Sequence, residues 1–291
     1  VHIDPIEKKP FYHFYPGSLT LSIGTNGCNF ACPYCCNYDL SQRRIIEGFD
    51  FPPEKAIETA KKENLDGFSF TYNEPTIFIE YAYDIGILAK KHGFYTNFVS
   101  NGYLSDEAID LAKKFLDAIV VDIKGNLNKD LYLKHIKVPN PEKILENLKV
   151  LKEYFHVEVT DLIIPKYGDD LEDAKKLLNF IYENVGNIPI HFLRFFPEYK
   201  WINLESTDFE ILLKHYNLAK EIGFEYVYLG NVGNEKYEST YCPKCKNIVI
   251  KRIGIMLLEF NLDEKNRCKF CKHKIPIVGN LSKNWRRFFF Y

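Results

Sequence analysis

The chain has 291 residues (34.1 kDa), of which 46% are apolar, 26% charged and 15% aromatic. That is enough for one sizeable core and a small appendage, and too apolar for disorder or a fibrous repeat. The formal charge of −1 conceals an asymmetry: from Cys242 onward 12 Lys or Arg face 3 Asp or Glu, against 26 and 36 in the residues before it.

The first residues, VHIDPIEKKPFYHFYPG, contain neither an apolar signal core nor an amphipathic Arg/Ser-rich stretch, so a cytoplasmic location is expected. LTLSIG (19–24) reads as a strand delivering Gly24, Thr25, Asn26 and Gly27 into a cysteine loop, where small residues let backbone approach a cofactor. Pro52 and Pro53 open a helix through Lys62. GFSFTY is a strand whose polar exit, YNEPT, runs into an apolar helix from Ile77 to Lys91. FYTNFV ends in SNGY, and Ser105 with Glu107 marks the next helix start. DAIVVDIKG has the continuous hydrophobicity of a strand covered on both faces. Beyond a helix around 141–154 come the strand HVEVTDLIIP, a helix from Asp169 to Tyr182, the strand IPIHFLRFF, a helix from Asp208 to Ile222 and a candidate final strand, EYVYLG.

The longest apolar runs are strand-sized, short of the roughly 20 residues that cross a bilayer, so no membrane span is expected. Six or seven strands alternating with helices permit an open doubly wound sheet or a barrel. Polar residues gathered at strand ends favour the barrel rim, and cysteines rather than G-x-G-x-x-G follow the first strand, which disfavours a dinucleotide fold. The expected fold is α/β: a partial (β/α)6 TIM-like barrel over residues 1–240, with a C-terminal zinc-ribbon-like lobe and a basic aromatic tail over 241–291.

The eight cysteines fall in two places, a pattern that suits metals better than disulfides. Cys242, Cys245, Cys268 and Cys271 form two C-x2-C hooks 22 residues apart, which can offer four thiolates to one structural Zn2+. A rubredoxin-like iron, a further iron-sulfur cluster and free thiols are the alternatives. The run IVIKRIGIMLLEF between the hooks supplies strands to hold them. Four thiolates and one dication would leave the segment near +7. Cys28, Cys32 and Cys35, spaced C-x3-C-x2-C, suit three corners of a [4Fe-4S] cube whose fourth iron is open to chemistry. Cys36 is expected to be a buried thiol, or one standing beside the cluster, rather than a ligand, because adjacent side chains diverge.

GCNFACPYC resembles the cluster loop of the radical S-adenosylmethionine (radical SAM) superfamily, in which SAM chelates the open iron. The resemblance implies the partial barrel as well. It assigns Tyr72, Asn73 and Glu74, which stand where the family has GGE, to the SAM ammonium; Ser100 and Asn101 to the methionine part; Asp122 and Lys124 to a ribose hydroxyl and a carboxylate; and Tyr34 to the adenine. The residues alone also allow simpler roles: a helix N-terminal carboxylate for Glu74, a turn for Ser100 and Asn101, a rim ion pair for Asp122 and Lys124, and a core aromatic for Tyr34. Lys166 follows the fifth strand and is a candidate substrate contact. Of His191 and Arg194, three apart on one strand, only one can face inward; Arg194 is expected to meet an anionic substrate and His191 to be structural.

A closer resemblance, carried by TYNEPTIFIEYAYD, SNGYL, VDIKG, LIIP, HFLRFFPEYK and the terminal TYCPKC and CKFC, is to the AmmeMemoRadiSam-system radical SAM proteins, relatives of pyruvate-formate-lyase activase. Those proteins usually have Gln in place of Cys36 and Gly in place of Lys166. The resemblance implies a radical SAM oxidoreductase that reductively cleaves SAM at a [4Fe-4S] cluster, forming a 5'-deoxyadenosyl radical that abstracts hydrogen from a substrate still to be identified. It also implies a one-electron donor such as a flavodoxin or ferredoxin. The alternatives are a glycyl-radical-enzyme activase acting on a protein, a modifying enzyme for a peptide, an RNA, a small metabolite or another anionic substrate, and an RNA- or protein-binding module with structural metals, in which KNWRRFFFY would stack on bases or, more simply, pack on the barrel.

Overall fold

The computed structural model describes residues 1–42 and 46–285. Its main sheet has eight strands in chain order. β1 (His2–Pro5) is antiparallel to β2 (Leu19–Ile23). Then follow, all parallel to β2, β3 (Gly67–Phe70), β4 (Tyr95–Ser100), β5 (Ala118–Lys124), β6 (His156–Ile163), β7 (Ile190–Arg194) and β8 (Val227–Gly230). β1 and β8 do not pair with each other, so the sheet is open on one side. This is an α/β fold with the mostly parallel sheet of a partial TIM-like barrel. The parallel strands number seven, EYVYLG supplying the last.

Helices fill the links: α1 (Tyr38–Ser41) and α2 (Pro53–Lys62) before β3, α3 (Ile79–Lys91), α4 (Asp106–Ala112), α5 (Glu142–Tyr154), α6 (Leu171–Asn184), α7 (Phe209–Ile222) and, after β8, α8 (Glu235–Glu238). Their starts follow local chemistry. Pro53 opens α2, and the side chains of Ser105, Asp170 and Asp208 accept backbone N–H bonds at the first turns of α4, α6 and α7. Strand alternation then sorts the core. Ile119, Val121 and Ile123 of β5 join the cluster packed under the helices, whereas Ala118 and Val120 pack inside the barrel on Phe11 and Phe14. Among the described residues no helix is long and apolar enough to cross a membrane.

Three features depart from the sequence reading. β1 was not anticipated. The helix expected from Ile77 begins as a 3-10 turn, Pro75–Phe78. A six-residue π-helix, Leu131–Ile136, lies in the long connection after β5, and its Ile136 carbonyl accepts from the Ala31 N–H at 3.0 Å, bracing the cysteine loop.

A second, antiparallel sheet holds β9 (Thr240–Tyr241), β10 (Ile248–Ile253) and β11 (Met256–Phe260). The apolar run between the hooks folds as a hairpin, with Gly254 taking the positive φ (57°) of its tight turn. The lobe shares one core with the barrel: Val249, Ile250 and Leu257 pack with Tyr12, Tyr226 and Tyr228. The Arg252 guanidinium, wholly buried, donates to the Tyr12 carbonyl (2.9 Å) and the Thr240 hydroxyl (2.8 Å) and lies 3.7 Å from Glu7. Of the C-terminal tail, Trp285 is half-buried beside Gly17; residues 286–291, on which the base-stacking and packing expectations also rested, lie outside the described residues.

Candidate active site and metal centre

The loop after β2 is held from both sides. Asn73, just past β3, donates to the Gly27 carbonyl (2.8 Å) and accepts from the Thr25 N–H (3.1 Å). Asn37 donates to the Tyr72 carbonyl (2.9 Å) and Gln42 to that of Phe30 (3.1 Å). Gly24 is required where it stands, since a Cβ there would come within 2.8 Å of the Thr71 carbonyl. So fixed, Cys28, Cys32, Cys35 and Cys36 line a cavity of about 200 Å³ together with Tyr34, Tyr72, Asn73, Glu74, Ser100, Asn101, Asp122 and Lys124. All are free thiols. Burial pushes the Cys28 thiol up to about 11 and the Cys32 thiol up to about 12.

Glu74 closes one wall. Its Oε1 accepts from the Ser100 hydroxyl (2.9 Å) and from the Thr76 hydroxyl (2.9 Å) and N–H (3.2 Å), while Oε2 accepts the Asn101 N–H (2.8 Å). The helix-cap and cavity readings of Glu74 therefore both apply: it caps the 3-10 turn and lines the cavity. A carboxylate offers about four lone-pair sites, so Oε2 keeps capacity for a further donor. Burial raises its pKa against these four donors. Opposite, the Lys124 ammonium meets Asp122 Oδ2 at 2.5 Å, and Asp122 Oδ1 accepts from Thr160 (2.7 Å). Burial opposes the Lys124 charge, but Asp122 and the thiols of Cys32 and Cys36 outweigh it and raise the pKa. The rim ion pair thus exists and lies inside the cavity.

The other sequence-derived candidates are placed differently. Tyr34 is buried between Phe195 and Trp201, with its hydroxyl unpartnered. The Tyr72 hydroxyl donates to Asp4. Cys36, expected to be buried or to stand beside the cluster, is exposed and lines the cavity wall with the other three cysteines. Arg194 does not enter the cavity: strand alternation puts it on the helix side of β7, where its Nε donates to the Thr207 carbonyl (2.8 Å). His191 takes the inward position, with Nε2 2.8 Å from Glu158 Oε2, in keeping with its structural reading. Lys166 has φ 70° and borders a separate hollow beside His135 and Tyr167. The sequence reading missed Asn29, which accepts from the Asn101 side chain (2.7 Å), and Asn37; both stand in the cysteine loop as polar residues the motif itself does not single out.

In the lobe, the thiols of Cys242, Cys245, Cys268 and Cys271 all lie within 4.8 Å of one another, with sulfur–sulfur separations of 3.5 Å (Cys242–Cys271) and 3.7 Å (Cys245–Cys268). These are far beyond a disulfide's ~2.05 Å. Tetrahedral bonds of ~2.3 Å to one ion would set sulfurs roughly 3.8 Å apart, so the four thiols form a metal-binding group.

A cysteine loop at the carboxyl ends of parallel strands, opening on a polar cavity, defines a class, and the comparisons agree with it. The chain belongs to the radical SAM superfamily, whose family model matches residues 22–181. It is a radical SAM-type enzyme. It is 41% identical over 281 residues to an uncharacterized protein, MJ0808, of Methanocaldococcus jannaschii, a match covering 95% of this chain and 83% of that one. A putative glycyl-radical enzyme activating enzyme of the same organism, MJ1632, is 28% identical over 213 residues, 71% of this chain and 78% of that one. Streptococcus suis SuiB, solved bound to S-adenosylmethionine, shares the fold at a TM-score of 0.57 and 14% identity, over 78% of this chain and 53% of that one.

Proposed function

We propose that Cys28, Cys32 and Cys35 hold a [4Fe-4S] cluster whose fourth iron binds SAM. The observation carrying this reading is that three free thiols line one cavity with an unsaturated carboxylate, Glu74, and a cation, Lys124. The residues fit such a group: the half-buried thiols must lose protons to ligate, and the Lys124 ammonium offsets the charge at Cys32. When bound and reduced by a one-electron donor of the flavodoxin or ferredoxin kind, the cluster and SAM supply a 5'-deoxyadenosyl radical that abstracts hydrogen. The chain's own part is positional. Glu74 Oε2 would receive the SAM ammonium, Ser100 and Asn101 hold that carboxylate in place, Asp122 faces the ribose, Lys124 neutralises a carboxylate and Tyr34 borders the adenine.

Residues 1–240 would form the radical SAM partial barrel, and 241–291 a lobe whose four thiolates bind a structural Zn2+. Four sulfur ligands leave no coordination site open to substrate. Within the superfamily we place the chain beside the AmmeMemoRadiSam-system proteins. A second reading, a glycyl-radical-enzyme activase acting on a partner protein, is favoured by the likeness to MJ1632.

Anaerobic reconstitution tests the proposal. The wild-type chain should bind iron and sulfide, respond spectrally to SAM and release deoxyadenosine on reduction, and Cys32→Ala should lose all three. Full deoxyadenosine release by that variant would refute the assignment. Deuterium transfer from candidate peptides or proteins into deoxyadenosine would then identify the substrate.

A further inference from the structure

A second hollow, about 570 Å³, opens where α7, β8, α8 and the first cysteine hook meet. It lies at the amino end of β8, whereas the cysteine loop follows the carboxyl end of β2, so the two sites are at opposite ends of the barrel. The half-exposed rings of Tyr216 and Tyr241 line it above the buried Phe224 and Tyr237. Around them stand three exposed lysines from three different elements: Lys220 of α7, Lys236 of α8 and Lys246 of the hook. Glu225 is the one carboxylate among the lining residues.

The positive charge is built in rather than scattered. Lys246 sits at φ 61°, its N–H donating to the Cys242 carbonyl (2.9 Å), so the turn of the metal hook fixes where it projects. The Lys220 ammonium spends one donor on the Glu225 carbonyl (2.8 Å) and keeps two. Burial lowers its pKa, and the like charge of Lys246 lowers it further, a repulsion that an anion between them would relieve. In the back wall the Tyr226 hydroxyl is buried without a hydrogen-bond partner. The segment from Cys242 onward holds 12 basic and 3 acidic residues and stays net positive once four thiolates hold a dication.

We propose that this hollow is a docking site for single-stranded nucleic acid, phosphates meeting Lys220 and Lys246 and a base stacking on Tyr216 or Tyr241. Cations interleaved with ring faces match a strand, which brings an anion and a planar π-face at every step. An acidic peptide would satisfy the lysines but leave the rings without a planar partner. The inference is independent of the cysteine-loop chemistry, because its test needs neither SAM nor cluster turnover.

The test is fluorescence anisotropy of a short labelled oligouridylate titrated with the full metal-loaded chain across a salt series. Wild type should bind. Lys220→Glu with Lys246→Glu should weaken binding at least about tenfold and flatten the log–log salt slope by about 1.4, two phosphates at roughly 0.7 each. Tyr241→Ala should cost about five-fold or more at unchanged slope. Both lysines are exposed, so the variant should keep its metal content and melting temperature; Lys62→Glu with Lys91→Glu, on the remote helices α2 and α3, should bind like wild type. The proposal is overturned by absence of binding, by equal weakening in the α2/α3 control, by tighter binding of a polyglutamate peptide, or by uridine monophosphate binding as well as the strand.

Discussion

Glu158, on β6, is fully buried and accepts four bonds: from the Tyr12 N–H (3.0 Å), the His13 N–H (2.8 Å), His156 (3.0 Å) and His191 (2.8 Å). Burial would raise its pKa, but the two imidazole partners prevail and hold it well below the carboxylate range. Next to it His13 is buried with Nδ1 on the Pro276 carbonyl (3.1 Å) and Nε2 on the Tyr228 hydroxyl (2.7 Å). Desolvation takes His13 down from 6.5 to about 3, against the opposing pull of Glu158 and the Pro276 carbonyl and with small help from His156 and Arg252. Between those two values the unfolded chain binds a proton that the folded chain refuses, so stability is full above about 6.5 and falls as pH drops. Glu158 contributes with the same sign only below its ordinary 4.5. From pH 6.5 to 4.5 His13 therefore contributes a slope approaching about 1.4 kcal/mol per pH unit; His215, also lowered by burial, adds to it, while Asp161, raised by burial to about 7, holds a proton in the folded chain and opposes it. The difference in unfolding free energy between wild type and His13→Gln through that window isolates its share: it should fall by about 1.4 kcal/mol per pH unit as pH drops, and a difference independent of pH would remove His13 from the account.

At the scale of elements, two rim loops lock together. Gly125 follows β5 at φ 56°, and a Cβ added to Gly168, after β6, would stand 2.2 Å from the Gly125 Cα. Gly168→Ala must separate backbones that carry Asp122 and Lys124 on one side and the Asp161–Asn126 bond (3.0 Å) on the other. We expect a loss of about 1–3 kcal/mol in denaturant melts, whereas Gly48→Ala, with open space around its Cβ, should stay within about 0.5 kcal/mol. The alternation of polar exits with helices made these loops readable in advance, because strand period and cap chemistry are local. β1 and the π-helix were not readable: HIDP is too short to carry a period, and nothing in the six residues LYLKHI distinguishes a π-turn from an α-turn. The side facing inward on β7 was also beyond a count of three residues. It was decided by Glu158, a carboxylate on the neighbouring strand that draws His191 in and leaves Arg194 outside.

For the whole molecule, the lobe is part of the barrel's floor. Val278 pairs with the segment at 13–15, Asn284 donates to the Asn64 carbonyl (2.9 Å), and Arg252 donates to the Tyr12 carbonyl (2.9 Å). Arg252→Ala would strip the buried Glu7 of its cation and should cost about 3–5 kcal/mol; adding Glu7→Gln should return part of that, as read from paired melts. Chelating the four-thiol metal should lower the melting temperature of the barrel itself, not only of the lobe, since Cys242 and Cys268 share a core with Tyr228. Barrel melting unchanged by chelation would separate the two. The charge asymmetry in the sequence suggests a second body from Cys242 onward. It could not show their shared core, which depends on contacts between positions more than two hundred residues apart, such as Tyr12 and Arg252.

That single bond orders events on the ribosome. The guanidinium that donates to the Tyr12 carbonyl is made 240 residues after it, a delay of roughly 10–50 s at ~5–20 residues per second. Through that interval Glu7 lacks the Arg252 cation and the Tyr12 carbonyl lacks its donor, and both wait for the hairpin that carries Arg252. Closure of the core around Tyr12 thus waits on the arrival of one buried guanidinium.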